Sequence, residues 1–375
     1  MSHHALTRAL AILGAVTAVT VPLGSGSDAV VASTGGTSDG GVVTVMTRNL
    51  DEGTDFGYVI AALQGQLPFT TAAAATYGEV LASDVCGRAA AVADEIAAAQ
   101  PDLVSLQEVA EWTGPVATRC GGAVTTTIDA RAALEDRLRE RGAQYVEVHV
   151  LDEFDSSGIP GLPFSFLDRD ILLARVEPAG QLTLSNPMWG HFATLLPLSI
   201  GPVLRGWISV DATHRGRTVR VIATHLEGFN DVVQEAQAME LAAGPANTSL
   251  PVVLAGDLNT GPGSAQADTY TWLTSPAGGG FTDTWAATRP RDPGYTDSFY
   301  LEDQLPPGTT SDPTPTASAT PSERIDLVLV RGGAHPSEES PDYQVGLEIP
   351  HPSDHAGVVA PIRLSSGAED EQVLD

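Results

Sequence analysis

The stretch Val252-Val253-Leu254-Ala255-Gly256-Asp257-Leu258-Asn259 runs apolar for four residues and then delivers two polar side chains. The apolar run predicts a buried strand over 252–255, and Asp257 and Asn259 fall just past its C-terminal end. The same construction recurs along the chain. A strand over 42–46 leads into Asn49 and Asp51, one over 103–106 into Gln107-Glu108, and one over 219–224 into His225. Near the C-terminus the order reverses: Asp326 opens a strand over 325–330, and Ser353-Asp354-His355 precede a strand over 358–364. Strands of opposite direction place their beginnings and ends on one rim. A mixed sheet therefore gathers Asn49, Glu108, His225, Asp257, Asn259, Asp326, Asp354 and His355 at one edge. Asp326 alone gives a contrary signal, since alternation with Ile325 and Leu327 would turn it toward solvent if the other face were the core.

Between these strands, Arg88–Ala99 and Ala130–Arg141 read as helices, stopped by Gln100-Pro101 and Gly142, and Val233–Ala243 reads as a third. Further strands are expected over 145–150, 171–176 and 207–212, with a hairpin turn at His214-Arg215-Gly216-Arg217. Many short strands with interspersed helices, and no break in composition over 42–364, predict one α/β domain of two mixed sheets packed face to face with helices outside. Residues 1–32 resemble a secretory signal, with Arg8 ahead of an apolar run over 9–23 and a small-residue site at Val30-Val31-Ala32; an uncleaved anchor is the alternative. A Gly/Ser/Thr linker over 33–41, a Pro/Thr/Ser loop over 308–322 and an acidic tail over 365–375 complete the expected organisation.

The chain has 375 residues, 47 of them Asp or Glu against 19 Lys+Arg, for a net charge of −28. All of its basic side chains are arginine, so Schiff-base and P-loop lysine chemistry are excluded. So acidic a chain is not expected to hold nucleic acid in a stable, salt-sensitive complex. Cys86 and Cys120 are its two cysteines. In an exported chain they suggest one disulfide; a pair of buried thiols is the other reading.

Carboxylates, amides and two imidazoles on one rim suit a hard divalent cation, Mg²⁺ first and Mn²⁺ or Ca²⁺ as alternatives. A histidine backed by a carboxylate adds an acid or base. In these features the sequence resembles the endonuclease/exonuclease/phosphatase superfamily, the metal-dependent phosphoesterases of deoxyribonuclease I-like fold. The matching segments, in order, are TRNLD (47–51), LVSLQEV (103–109), ATHLEG (223–228), LAGDLNTGP (254–262), RIDLVLVRG (324–332) and PSDHAGVVAPIRL (352–364). The resemblance implies a four-layer α/β/β/α sandwich. It implies Glu108 as principal metal ligand, supported by Asn49, Asp51 and Asp354. Asp257 would orient or activate the attacking water and Asn259 would bind phosphate. His355 would pair with Asp326, and His225 would be a phosphate donor or leaving-group acid. The chain departs from the family pattern at Asp168-Arg169-Asp170, where Arg169 and Asp170 are candidates to meet the substrate phosphate.

The expectation is thus a secreted, monomeric, metal-dependent hydrolase of a phosphodiester or phosphomonoester. Phospholipid head groups are one substrate class, DNA or RNA another, and a binding protein on the same fold the non-catalytic alternative. Residues 186–207, with two Trp and a Phe, read either as a lip making transient membrane contact or as a buried hairpin of the second sheet. The segment 59–69 carries the same two readings.

Overall fold

Alternation along the central strands sorts their side chains into three apolar layers. Val43 and Val45, Leu172 and Ala174, Val219 and Val221, Val253 and Ala255, and Val328 and Val330 all pack into one cluster. Their neighbours face the other way. Met46, Val104, Leu106, Ile171 and Leu173 join Val92, Ile96 and Leu134. Ile222, Leu254, Leu327 and Leu329 join Ala238 and Leu241. The first cluster lies between two sheets, and the others lie between each sheet and its helices. Strands buried on both faces carry apolar residues at successive positions, as these do. The fold is the expected α/β/β/α sandwich.

The computed structural model describes residues 24–25, 41–120, 123–177, 182–198, 201–297, 321–348 and 351–365. Apart from the short strand Gly24–Ser25 and residue 41, the expected signal and linker lie outside the described residues. So do positions 308–320 of the Pro/Thr/Ser loop and 366–375 of the tail. Among the described residues no helix is long and apolar enough to cross a membrane.

The nine-stranded sheet contains Gly357–Leu364, Val42–Asn49, Leu103–Gln107 and Ser165–Glu177 in that order. Val42–Asn49 runs parallel to Leu103–Gln107 and antiparallel to Gly357–Leu364. The seven-stranded sheet contains Thr183–His191, Gly206–His214, Arg217–His225, Val252–Asp257 and Asp326–Arg331. There the parallel pair is Arg217–His225 with Val252–Asp257, and Asp326–Arg331 runs antiparallel. Register brings the polar ends level: His225 aligns with Asp257, Asp257 with Asp326, and Asn49 with Gln107. Gly256 permits this register, because a Cβ there would stand 1.9 Å from the Thr224 carbonyl oxygen.

The expected helices appear as Val85–Ala99, Ala130–Glu140 and Asp231–Ala243, capped at their N-termini by the side chains of Asp84, Asp129 and Asn230. The segment 59–69 is neither lip nor hairpin; it belongs to the helices Gly57–Leu63 and Phe69–Ala82 and the turn between them. Residues 186–207 extend the seven-stranded sheet and form a small ribbon of Leu196–Leu198 with Gly201–Val203. Phe192, Leu196 and Trp207 are buried there, and Trp189 stacks on His149 at 3.8 Å. Cys86 and Cys120 are joined by a disulfide.

Candidate active site

The layer between the sheets changes character at one end. Val43 and Val45 give way to Asn49, Leu103 to Gln107, Val219 and Val221 to His225, Val253 and Ala255 to Asp257, and Val330 and Val328 to Asp326. Each polar residue continues the parity of its apolar predecessors. Asp326 is therefore fully buried between the sheets, because the face opposite Ile325 is the interlayer face rather than solvent. A floor of hydrogen bonds lies beneath: Thr47 Oγ1 to Gln107, Gln107 Nε2 to Ser105, and Ser105 Oγ to the Ala255 carbonyl across the sheets. Such bonds satisfy groups whose burial would otherwise cost about 1–3 kcal/mol each.

Asn49 sits at the centre. Its Nδ2 donates to Glu108 Oε1 at 2.8 Å and to Asp257 Oδ2 at 3.1 Å. Glu108 takes a positive φ of 58°, which turns the chain sharply after its strand, and its other oxygen accepts from the Glu52 N–H. Asp51 accepts from the Gly53 N–H and lies 3.3 Å from Arg88. Burial and the charge of Asp354 push the Glu108 carboxyl up to about 8, and burial and Asp51 push Asp354 up to about 7. These carboxyl groups are crowded enough to resist ionising together, and a dication would offset that crowding. Glu108, His225 and Asp257 bring ligand atoms within 4.8 Å of one another, as do Asp257, Asp326 and His355. The chemistry of this oxygen-rich donor set fits a divalent cation.

The two histidines are held in opposite states. His355 Nδ1–H donates to Asp326 Oδ2 at 2.7 Å, and Nε2 lies 3.9 Å from Asp297. Burial disfavours its charge, but Asp326 and Asp354 outweigh that and raise its pKa well above the ordinary value. His225 is fully buried, and Arg205 Nη1 stands 2.6 Å from its Nδ1. A guanidinium cannot accept a hydrogen bond, so Nδ1 is the acceptor and the proton sits on Nε2, 3.7 Å from Asp257. Burial and Arg205 depress His225 to about 3. The imidazole is a neutral donor across the physiological range. Asn259, at a positive φ of 50°, donates its side-chain amide to the Leu226 carbonyl and its backbone N–H to Asp257 Oδ1. Gly228 makes room, since a Cβ there would stand 2.7 Å from Asn259 Oδ1.

Asp170 joins the rim, 3.7 Å from His225 Nδ1, with its carboxyl pushed up to about 7 chiefly by burial. Arg169 does not. It occupies the opposite face of the strand, bonds the Val109 carbonyl and Asp129, and approaches Glu111 at 3.5 Å. Its guanidinium locks the cap of helix Ala130–Glu140 and is not directed at the rim.

Several residues near the site carry no strand-end signature. Arg205 is the most consequential. Buried beside Asp168 at 3.6 Å, it also interacts electrostatically with Glu153, Glu227 and Asp170. Both carboxylate oxygens of Glu153 are buried without a hydrogen-bond partner among the described residues. Glu52 and Glu153 are raised well above ordinary values, principally by burial. Arg48 braces the backbone by donating to the Asn49 and His355 carbonyls, and Arg88 does so by donating to those of Leu50, Asp51 and Pro352. Arg48 lies within TRNLD and Asp168 within the Asp168-Arg169-Asp170 departure, whereas Arg205, Glu153, Glu52 and Arg88 lie outside the matching segments.

Known structures share this arrangement of layers. An endonuclease/exonuclease/phosphatase from Beutenbergia cavernae is 21% identical, covers 87% of this chain and 72% of its own, and superposes with a TM-score of 0.51. A family protein from Leptotrichia buccalis is 13% identical, covers 86% and 100%, and reaches 0.55. No curated protein matches the chain in sequence. The Endonuclease/Exonuclease/phosphatase family model matches residues 79–355. Members of that family are generally metal-dependent hydrolases acting on phosphoester bonds. With that match spanning most of its length, the chain belongs to the endonuclease/exonuclease/phosphatase family.

Proposed function

We propose that this protein is an exported, Mg²⁺-dependent phosphodiesterase that hydrolyses its substrate by in-line attack of water. The observation that carries the reading is the pair of histidines that flank Asp257, one backed by the Asp326 carboxylate and the other by the Arg205 guanidinium. Groups whose environments are pushed apart in this way divide donor and acid–base roles between them. Glu108, Asp354, Asp51 and Asn49 would hold the cation, which when bound polarises a phosphoryl oxygen. Asp257 orients the attacking water and takes its proton. As the bond from phosphorus to the leaving oxygen breaks, His355, charged through Asp326, gives its Nε2 proton to that oxygen, and His225 donates a neutral Nε2–H to the phosphate. Asn259 positions the loop that lies beside the phosphate. None of the large apolar side chains described between 186 and 207 is exposed, so the proposal does not lean on a lipid surface.

Hydrolysis of bis-p-nitrophenyl phosphate with Mg²⁺, Mn²⁺ or Ca²⁺ tests this. Wild type should turn over and lose activity on chelation. Glu108→Gln and His355→Asn should each lose about 10³-fold in kcat while remaining folded. Absence of turnover with all three metals, or full activity in Glu108→Gln, would overturn the reading.

A further inference from the structure

A pocket of about 510 Å³ is lined by Arg289, Arg291, Arg324, Tyr295 and the loop residues Pro262 and Gly263. Three of its wall elements adjoin residues of the active site along the chain. Arg324 lies two residues before Asp326, and Tyr295 two residues before Asp297. Each pair is therefore separated by no more than about 7 Å of chain. The loop that follows Asn259 is pressed against the Arg324 carbonyl, where a Cβ on Gly261 would stand at 1.7 Å.

We propose that this pocket binds a second phosphoryl group of the substrate, next to the one that is cleaved. The inference rests on the phosphodiesterase reading of the adjoining site and narrows its substrate to one carrying two phosphates on a common ring or sugar. Three arginines lining one pocket are unexpected in a chain of net charge −28. Arg324, buried in the lining, is fixed by Asp283 at 2.8 Å. Arg289 lies over Trp285 at 5.3 Å and spends its Nε on the Asp342 carbonyl. Among the described residues its other N–H groups are uncommitted. Arg291 is exposed and makes no ion pair among them. The carboxylate of Asp292, also in the lining, is turned back onto the Gly294 N–H. Guanidinium groups are permanently charged and match phosphate oxygens in pairs, so a phosphoryl group suits the pocket better than a neutral one. Tyr295, 40% exposed, offers a flat face to the ring that bears the phosphates.

Calorimetric titration decides the matter independently of turnover. Adenosine 3′,5′-bisphosphate, adenosine 5′-monophosphate, adenosine 3′-monophosphate and inositol 1,4-bisphosphate are compared in Mg²⁺ buffer on the full chain. Wild type should bind a bisphosphate about tenfold more tightly than either monophosphate. Arg291→Ala should erase that advantage while leaving monophosphate affinity unchanged, and Arg291→Lys should keep part of it. An advantage seen with the inositol compound as well supports the pocket and points to a head group as well as a nucleotide; one confined to the adenosine compound supports it and points to the nucleotide. No bisphosphate advantage in wild type, or an advantage that survives Arg291→Ala, overturns the proposal. Hydrolysis of bis-p-nitrophenyl phosphate is recorded alongside. Its absence counts against the phosphodiesterase reading, while the titration still reports on the pocket.

Discussion

Arg205→Met is the most demanding perturbation of this site. The guanidinium stands 3.6 Å from Asp168, and burial together with its charge sets the states of Glu153, Asp170, Glu227 and His225. At an effective dielectric of 20, one such pair is worth about 5 kcal/mol, and removing one partner of a buried pair costs about 3–5 kcal/mol. The loss depends on pH in a defined direction. Arg205 lowers the pKa values of Glu153, Asp168, Asp170 and Glu227, so its removal raises them further. A carboxyl whose folded pKa is raised holds its proton more tightly when folded, so stability falls as pH climbs from the unfolded value near 4 through the folded one. Urea unfolding should show a gap between wild type and Arg205→Met of about 3–5 kcal/mol at pH 8, smaller by at least about 1 kcal/mol at pH 5. Arg205→Lys should restore the pH slope but not the directed bond to His225, which ¹⁵N chemical shifts of the imidazole would register. A gap that widens toward acid, or stays under about 1 kcal/mol at pH 8, refutes the assignment of Arg205 as the counter-charge of this cluster.

Three other outcomes are expected. Thr284 Oγ1 lies 2.8 Å from the Val328 carbonyl and donates to Asp342 Oδ2 at 2.5 Å; burial, only partly offset by that bond, pushes the Asp342 carboxyl up to about 6. Asp342→Asn should therefore match wild type in urea at pH 4 and exceed it by about 2 kcal/mol at pH 8, because the wild-type carboxyl loses stability as pH climbs through its raised value; equal stability at pH 8 would count against a raised carboxyl there. Removing the disulfide, which closes a 34-residue separation, by the double change Cys86→Ser and Cys120→Ser should cost about 4 kcal/mol of unfolding free energy, while a loss below about 1 kcal/mol would contradict the loop-closure account. Arg88→Met unties the backbone turns that carry Asp51 and Asp354, and should weaken Mn²⁺ binding in calorimetry by about 10–100-fold; unchanged affinity would show that those turns hold themselves.

What the sequence made legible was the coincidence of strand ends with polar residues. Asn49, Glu108, His225, Asp257, Asp326 and His355 each follow or precede an apolar run, and no knowledge of sheet pairing was needed to group them. The counter-charges were hidden for identifiable reasons. Glu153 lies in the long strand Gln144–Asp155, whose register shifts at Glu147/His149 and again at Asp152/Phe154, so counting by twos does not reveal its face. Arg205 sits between two strands, outside any periodic pattern. Arg169 was grouped with Asp170 by adjacency. The strand Ser165–Glu177 is buried on both faces, so composition gave no contrast to show that neighbours one residue apart diverge. Asp326 misled alternation for a related reason, since both of its candidate faces are interior.

The bonds that close this site run between the sheets. Asn49 to Asp257, Ser105 to Ala255 and His355 to Asp326 each join a residue of the nine-stranded side to one of the seven-stranded side. Neither half of the chain owns a complete site. The constellation comes into being only when the layers dock, so any ligand that prefers the docked form stabilises it by mass action. During refolding, catalytic competence should then lag behind secondary structure and rise with the closing of the interlayer core. The site thereby reports on the last step of assembly.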